Sequence, residues 1–275
     1  MDKRPSFEEY LRDCAQEFSA DGDIAKAEKS FAFNMRAAQQ SAQSSQQLAV
    51  VIQALREAQM LYVEGRPELL FYPVSAVDGF SLQIKPFESA ILKAYRSNIF
   101  FNRRFPDEPD RGAIDITDIY QSVDDLLRAR LVCKYLDGPR FVCDQLAIAC
   151  EQAGIEYQYR DLGTDAGYYA WHFYFKTSVD IMLEKTVTTK SMWVEIQLST
   201  QLAEVITSLT HGLYEKRRIG TGPKAESKWK WDANSPHFRS AFLGHGLHLL
   251  EGLIQTLKDD MFTESQTTNK DEEAQ

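Results

Sequence analysis

Apolar residues recur with a helical period in the first quarter of the chain and with a strand period in its middle. Over residues 6–65 they stand three or four positions apart, as Phe31 and Met35 do, which predicts long helices ending near Gly65. From residue 79 onward, short alternating runs predict strands separated by segments with Gly or Pro. The resulting order is a helical arm, then strand–helix–strand–helix–strand–strand–strand–helix, and a last helix. It predicts an α+β fold in which helices flank a mixed β-sheet.

The same patterns predict the limits of regions and elements. We expect a helical N-terminal arm over 1–76, a sheet domain over 77–220, a C-terminal loop and helix packing on it over 221–262, and a disordered polar tail over 263–275. The predicted strands cover 79–85, 123–135, 157–162, 168–176 and 192–198, and the last two helices cover 201–218 and 240–259. The terminal helices either cover the sheet or mediate oligomerisation, and the pattern leaves both roles open.

The strand predicted over 192–198 carries the first chemical signal. Side chains alternate between the two faces of a strand, so Glu195 and Gln197 point away from Val194 and Ile196. A carboxylate and an amide at a strand end, just before a helix, favour a site that binds a metal or accepts a proton. The other interpretation is the solvent-facing side of an amphipathic strand.

The composition is that of a globular protein with an acidic net charge. The hydrophobic fraction is 44% and the formal charge is −9, which argues against broad nucleic-acid binding but leaves room for a local basic pocket. No run approaches 18 apolar residues and the N-terminus lacks the apolar core of a signal peptide, so we expect a cytoplasmic protein with no membrane partner. The cysteines lack metal-ligand spacing and are expected to be reduced, mostly buried thiols: Cys14, Cys133, Cys143 and Cys150.

Polar residues in three further segments add to this signal. Ser89 and Lys93 lie four apart on one face of a predicted helix, near the strand end that carries Lys85. Asp125 leads into the next strand. An aromatic strand places His172 on one face together with Tyr168, Ala170 and Tyr174.

In this order the segments resemble the RelA/SpoT-type synthetase domain of (p)ppGpp synthetases, in particular the small alarmone synthetases. That family shows R-x-K-x-x-x-S-x-x-x-K, then D-x-x-G-x-R, then a loop ending N-G-Y-x-x-x-H, then E-x-Q-x-R-T. The matching positions here are Lys85, Ser89, Lys93, Asp125, Arg130, Tyr168, His172, Glu195, Gln197 and Thr200. The resemblance spans roughly 79–218 and identifies 77–220 as the synthetase-like domain.

The resemblance implies an ATP-dependent pyrophosphotransferase that transfers the β,γ-diphosphate of ATP to the 3′-hydroxyl of GDP or GTP, with Mg²⁺ as cofactor. Asp125 and Glu195 would be catalytic and would bind the metal. Lys85 and Lys93 would neutralise the ATP phosphates, with Ser89 as a hydrogen-bond donor. These residue types suit the chemistry, because phosphoryl-type transfer depends on positioning and on cations around the phosphates.

The remaining matched residues have an ordinary structural interpretation beside the functional one. The resemblance implies that Tyr168 stacks on the acceptor base, while His172, Gln197 and Arg130 line the nucleotide site. The structural alternative for Tyr168 is plain packing, and for His172 it is a hydrogen-bonded core histidine. Other residues near the C-terminus are interpreted as structural: His211, Tyr214, His237, His245 and His248.

The chain departs from the family motifs mainly on the acceptor side. Gln83 stands where the family has its first Arg, Arg128 where it has Gly, and Ser199 where it has Arg. The loop before Gly167 lacks the family's Asn. The acids at both metal positions are present.

Three functions remain open on this basis. The first is an alarmone synthetase that uses ATP and a guanosine nucleotide. The second is an enzyme of the toxic branch, which acts on the tRNA 3′ end or on adenosine nucleotides and is neutralised by an antitoxin partner; the basic stretch 216–230 could approach an RNA backbone. The third is a catalytically degenerate binding or regulatory module, against which the two acids argue.

Overall fold

The computed structural model describes residues 4–63, 70–72, 76–183, 186–218 and 232–273, and for 210–218 and 262–273 it describes the backbone. Within these ranges the strands are β1 (Gln83–Ile84), β2 (Leu127–Cys133), β3 (Tyr157–Gly163), β4 (Tyr169–Leu183) and β5 (Thr186–Thr200). The helices are α1 (Phe7–Ala15), α2 (Ile24–Gln43), α3 (Gln46–Val63), α4 (Phe87–Tyr95), α5 (Ile119–Ser122), α6 (Gly138–Gln152), α7 (Gln201–Arg218) and α8 (Pro236–Glu273). A π-helical turn, Arg96–Phe100, extends α4.

The strands form one mixed sheet in the order β1-β2-β5-β4-β3. The β2–β5 pair is parallel, and the β1–β2, β4–β5 and β3–β4 pairs are antiparallel. The α+β prediction with a mixed sheet between helices is therefore confirmed. The parallel pair places the ends of β2 and β5 at the same edge of the sheet.

The two faces of the sheet differ in chemistry. On one face, Leu127, Val194, Ile196 and Phe173 are buried in a continuous apolar core, to which α2, α3 and α6 also contribute. The opposite face carries the charged and hydrogen-bonding side chains of β2, β4 and β5, as the period-two alternation predicts. The N-terminal helices cover the apolar face, so the polar face is the one on which a site can be built.

Helix α1 is fixed at its N-terminus, and an aromatic cluster joins the N-terminal helices to α4. Ser6 and Glu9 form a capping box, in which the Ser6 hydroxyl accepts from the Glu9 amide and the Glu9 carboxylate accepts from the Ser6 amide. On α2, Phe31 packs against Phe18, Phe87 and Tyr120 in the core. This aromatic contact ties the N-terminal helices to α4, which carries the predicted phosphate-binding residues.

Several predicted boundaries need correction. Strand β1 is shorter than 79–85, because Phe80 instead closes a turn on the Val77 carbonyl. Strands β4 and β5 are longer than predicted, since they form a hairpin paired from Trp171↔Leu198 to Leu183↔Thr186. Helix α8 begins before 240 and continues to Glu273, because no Gly or Pro interrupts the chain after Gly252. The helical backbone of α8 thus enters the range 263–275, for which the sequence predicts a disordered tail.

Helix α8 docks on the sheet end through close contacts with the β3–β4 loop. Gly167 adopts φ +78, and a Cβ at this position would lie 2.4 Å from the Ala241 carbonyl oxygen, so only glycine fits. Tyr169 stacks on His248 at 3.7 Å between ring centroids and its hydroxyl lies 2.7 Å from His245 Nδ1. Both histidines therefore take part in the packing of α8 on the sheet, as their structural interpretation expects.

Two further expectations can be compared with the structure. All four cysteines are free and buried, as predicted, and burial raises the pKa of each thiol. In the part of the chain that the structure describes, none of the helices combines the length and apolar character needed to cross a bilayer.

Candidate active site

The polar face of the sheet is built in rows that cross neighbouring strands. Arg128 on β2 is paired in register with Glu195 on β5, which is paired with Tyr174 on β4. One step along, Arg130, Gln197 and His172 form the next row. Side chains of paired residues point to the same face. The predicted residues of three separate segments are therefore neighbours.

Glu195 is the centre of a hydrogen-bond network. Its side chain is 3% exposed, and its Oε1 accepts from the Tyr174 hydroxyl at 2.9 Å and lies 2.6 Å from His172 Nδ1. Its Oε2 accepts from Gln197 Nε2 at 2.7 Å. Burial raises the pKa of Glu195, but the hydrogen bond and charge of His172 outweigh it, so the net pKa lies below its ordinary value. Glu195 is therefore a buried, ionised acceptor.

The other side of His172 is occupied by Tyr168. The Tyr168 hydroxyl lies 3.1 Å from His172 Nε2, and the two rings meet edge to face. Burial, and then the charge of Glu195, raises the pKa of Tyr168 to about 12. The phenol therefore keeps its proton, and the Tyr168 hydroxyl and the Glu195 carboxylate contact opposite nitrogens of the His172 ring. This arrangement fixes the imidazole through both ring nitrogens.

Asp125 forms a second cluster with two lysines. Its Oδ2 accepts from Lys85 Nζ at 2.8 Å and its Oδ1 from Lys93 Nζ at 2.9 Å, and Lys93 also pairs with Asp124. Burial raises the pKa of Asp125, but the charges of Lys93 and Lys85 outweigh it and hold the pKa at about 2. Lys85 itself is 1% exposed, and its burial lowers its pKa against the opposing pull of Asp125.

The two clusters interact electrostatically. Burial and the negative charge of Asp125 both act to raise the pKa of Glu195, against the net lowering. Burial lowers the pKa of Lys85, and the positive charge of Arg128, which is in register with Glu195, acts in the same direction. The sheet thus brings the predicted phosphate-binding lysines and both predicted carboxylates into one charged environment.

Two predicted site residues are placed differently. Arg130 points to α7, where its guanidinium pairs with Glu204 Oε1 at 2.9 Å. Ser89 lies half-buried on α4, one turn before Lys93, and no described hydrogen bond joins it to the two clusters. The side chains of His211 and Tyr214 and the stretch 219–231 lie outside what the structure describes.

The sequence missed four residues that complete these contacts. Tyr174 donates to Glu195, and Arg160 donates to the Tyr174 hydroxyl at 3.2 Å and lies over its ring. Asp124 shares Lys93 with Asp125, and Glu204 holds Arg130. Strand alternation puts Tyr174 on the same face of β4 as His172, so the sequence did contain a signal for Tyr174. The pairs Asp124–Lys93 and Glu204–Arg130 join segments far apart in sequence, which a local pattern does not reveal.

The donor set fits a magnesium ion only in part. Among the described residues, no three His, Cys, Asp or Glu side chains converge as a ready metal site. Mg²⁺ in nucleotide sites commonly takes only one or two carboxylates and completes its shell with water and phosphate oxygens. Asp125 and Glu195 supply that number. However, each oxygen of Asp125 accepts from a lysine, and the two ammonium groups would repel a cation at this carboxylate unless they move to another partner.

The two described cavities lie apart from this site. Cavities of about 220 Å³ and 550 Å³ lie beside α8, around Tyr169, and neither is lined by Lys85, Asp125 or Glu195. Convergent charge and hydrogen bonding are the better indicators here, because a polyphosphate needs an open, cationic surface more than an enclosed one.

The fold and these side chains define an α+β domain with a site of two lysines and two acids on one face of its sheet. The chain matches no protein-family model and no curated protein. Among solved structures it is similar to small alarmone synthetase 1 from Bacillus subtilis, with 17% identity and a TM-score of 0.47 over 78% of this chain and 95% of that chain.

Two other solved structures show a comparable degree of similarity. A GTP pyrophosphokinase family protein from Streptococcus pneumoniae has 17% identity and a TM-score of 0.48, over 79% of this chain and 93% of that one. Small alarmone synthetase 2 from Bacillus subtilis has 15% identity and a TM-score of 0.41, over 78% of this chain and 98% of that one. These proteins belong to the family that the four sequence motifs resemble. At such identities the function of this chain has to be argued from its own residues.

Proposed function

We propose that this protein is a pyrophosphokinase that transfers the β,γ-diphosphate of ATP to the 3′-hydroxyl of GDP or GTP. In this reaction a bond forms between the hydroxyl oxygen and the β-phosphorus, the bond from that phosphorus to the α-phosphate oxygen breaks, and AMP leaves. The observation that carries the proposal is that two lysines bind Asp125 near the polar face of the sheet on which His172 holds Glu195.

The lysine cluster supports a role in phosphate binding. Lys85, Lys93, Asp124 and Asp125 together carry no net charge, so the ammonium groups are balanced before any ligand binds. A polyphosphate offers several strong acceptor oxygens and would draw Lys85 and Lys93 from Asp125. Asp125, freed in this way, and Glu195 would hold Mg²⁺, which neutralises charge on the transferred diphosphate.

Glu195 is suited to orient the attacking hydroxyl. A carboxylate has about four lone-pair sites, and the three described donors to Glu195 are His172, Tyr174 and Gln197. One position on Oε2 therefore remains for a hydroxyl or a cation. The lowered pKa means that Glu195 is ionised near neutral pH and enters the reaction as an acceptor.

The acceptor would bind beside Tyr168. The β3–β4 loop that precedes Tyr168 is held by a hydrogen bond from the Gly167 amide to the Thr164 carbonyl and by its contact with α8. The Tyr168 hydroxyl is engaged by His172, which fixes the ring at the entrance to the Glu195 network. A ring fixed in this way can stack on a purine base without further loss of side-chain freedom.

A direct transfer assay tests the proposal. Purified protein is incubated with γ-labelled ATP and Mg²⁺, separately with GDP, GTP, ADP and bulk tRNA, and the products are resolved. We expect label on GDP or GTP, and a loss of at least about a hundredfold in Glu195→Gln, since one reacting-site contact is worth several kcal/mol. Glu156→Gln is the matched control, because Glu156 is exposed and pairs only with Lys176 among the described ion pairs.

Each other outcome contradicts the proposal in a defined way. Label on tRNA or ADP would replace the acceptor and favour the toxic branch, for which the sequence offers the basic stretch 216–230. Absence of transfer to every acceptor, with Glu195→Gln and wild type indistinguishable in ATP binding, would favour the degenerate binding module.

A further inference from the structure

Helix α8 has one face against the body of the protein and one face exposed. The docked face includes Ala241, Gly244, Glu251 and Lys258. The Lys258 ammonium group donates to Asp137 at 2.9 Å and to the Tyr62 hydroxyl at 2.8 Å. The opposite face carries eight exposed large apolar side chains: Phe242, Leu243, Leu249, Leu250, Leu253, Ile254, Leu257 and Met261. We call these eight residues the α8 stripe.

The α8 stripe is continuous along the helix. At 100° per residue its members fall within an arc of roughly 140°, whose centre lies about 130° around the helix from Glu251. Gly246 lies inside the same arc, and a Cβ built there would meet no atom within 4 Å. A monomer rarely exposes a contiguous apolar patch of more than a few hundred Å² without a use for it. The stripe exposes apolar surface on the order of 700 Å², close to the roughly 800 Å² that each partner buries in a standard interface.

The charges at the two ends of the α8 stripe indicate what covers it. Arg239 and Asp260 are exposed, lie on the same face as the stripe and stand 21 residues apart, about 32 Å along the helix. A parallel pair of α8 helices would place each arginine beside the same arginine of its partner. An antiparallel pair, centred between Leu249 and Leu250, would place Arg239 beside the partner subunit's Asp260 at both ends.

We propose that the α8 stripe is a homodimer interface in which two copies of α8 pack antiparallel about a two-fold axis between Leu249 and Leu250. In this register Phe242 faces the partner subunit's Leu257. Gly246 faces the partner subunit's Leu253, so a position without a side chain receives a large one, as close helix packing requires. The observations that support the pairing are the exposed stripe, the open space at Gly246 and the complementary end charges.

A lipid surface fits the α8 stripe less well. Helices that lie on membranes carry Lys and Arg along their polar face and attract anionic lipids. Here the stripe ends in one arginine and one aspartate, and the chain has a net charge of −9. A second copy supplies the opposite charge at both ends, which an anionic membrane cannot do.

The mass of the protein in solution tests the dimer. Light scattering behind size exclusion, at micromolar concentration, should give twice the chain mass of 31.5 kDa. Leu253→Asp should give the monomer with unchanged helix content, because the side chain is 61% exposed in the single chain. Met60→Asp is the matched control, since Met60 is also 61% exposed but lies on α3, and it should stay dimeric. A monomeric wild type, or equal loss in both variants, would overturn the proposal.

Disulfide trapping tests the direction of the pairing. The natural cysteines are buried, so an introduced thiol is the reactive one. Under mild oxidation, Leu249→Cys should cross-link to itself near the two-fold axis. Leu257→Cys alone should not, because the two copies lie more than about 20 Å apart in the antiparallel register. Mixing Phe242→Cys with Leu257→Cys should restore the cross-link; self-linking of Leu257→Cys instead would show a parallel pair and overturn the register.

A charge exchange provides a test that does not depend on oxidation. Arg239→Asp should raise the dimer dissociation constant by several-fold through like charges at both ends of the interface. Combining it with Asp260→Arg should restore the wild-type value. Failure of the double variant to recover would show that the two residues do not meet, and would contradict the proposed register.

Discussion

Replacing Asp125 with asparagine is expected to destabilise the protein because it leaves a buried ammonium group without its counter-charge. Lys85 is almost completely buried, and Asp125 is the partner in its described ion pair. Lys93 keeps Asp124 in this variant. The electrostatic cost of the substitution therefore falls mainly on Lys85.

The size of the effect can be bounded. Removing one partner of a buried ion pair costs about 3–5 kcal/mol. The cost has an upper limit, because Lys85 can lose its proton instead of staying charged. Deprotonating a lysine with the ordinary pKa of 10.5 at pH 7 costs about 4.8 kcal/mol, at 1.36 kcal/mol for each pH unit between the two values. Asparagine still offers a carbonyl oxygen to Lys85, so we expect a loss near the lower bound, about 3 kcal/mol.

Asp124→Asn is the matched control, as it makes the same chemical change one residue earlier. Its side chain is 29% exposed and shares Lys93 with Asp125, so its loss should cost less than about 1 kcal/mol. The assay is urea unfolding at pH 7, followed by circular dichroism, with the free energy of unfolding compared at equal slope. Equal stability of the two variants would refute the reasoning that Asp125 balances a buried Lys85.

Three further predictions follow from other contacts. Tyr174→Phe should lower kcat for diphosphate transfer by about 10- to 150-fold, because a hydrogen bond to a charged acceptor, here Glu195, is worth about 1.5–3 kcal/mol. Steady-state kinetics with labelled ATP measure kcat, and an unchanged kcat would remove Tyr174 from the site. Gly167→Ala should lower the melting temperature clearly more than Gly154→Ala. Both glycines have positive φ, but only Gly167 lies against α8. Equal shifts of the melting temperature in calorimetry would contradict this packing. The four buried thiols should stay unreactive to a disulfide reagent at pH 7.5 until denaturant is added, because burial raises their pKa; rapid reaction of native protein would show that they are accessible.

The sequence predicted most elements because their signals are local. Alternation in 192–198 and helical spacing in 201–218 both report on the nearest neighbours of each residue, and both elements are present. The long β4–β5 hairpin was underestimated, because residues 186–190 are mostly Thr and Lys and carry no apolar alternation of their own, although they pair with residues 179–183. Its length is set by pairing between strands, which a single strand's pattern does not contain.

The site was predicted in part, and its limits have a physical cause. Sequence spacing placed Ser89 and Lys93 on one helical face and Glu195 beside Gln197, and the structure keeps those relations. It could not show that Lys85 is buried, since lysine at a strand end is normally solvated. It also could not show that Arg130 turns to Glu204, because that partner lies 74 residues away.

The two carboxylates of the site are held in opposite ways, and this difference separates their roles. Asp125 is bound by ammonium groups, which are also the natural ligands of a polyphosphate, so its partners change when nucleotide binds. Glu195 is bound by imidazole, phenol and amide donors, which have no comparable reason to leave it. In the proposed reaction, nucleotide binding therefore draws the lysines away from Asp125 and frees its carboxylate for the metal. Glu195 keeps its position throughout and supplies a fixed acceptor for the attacking hydroxyl.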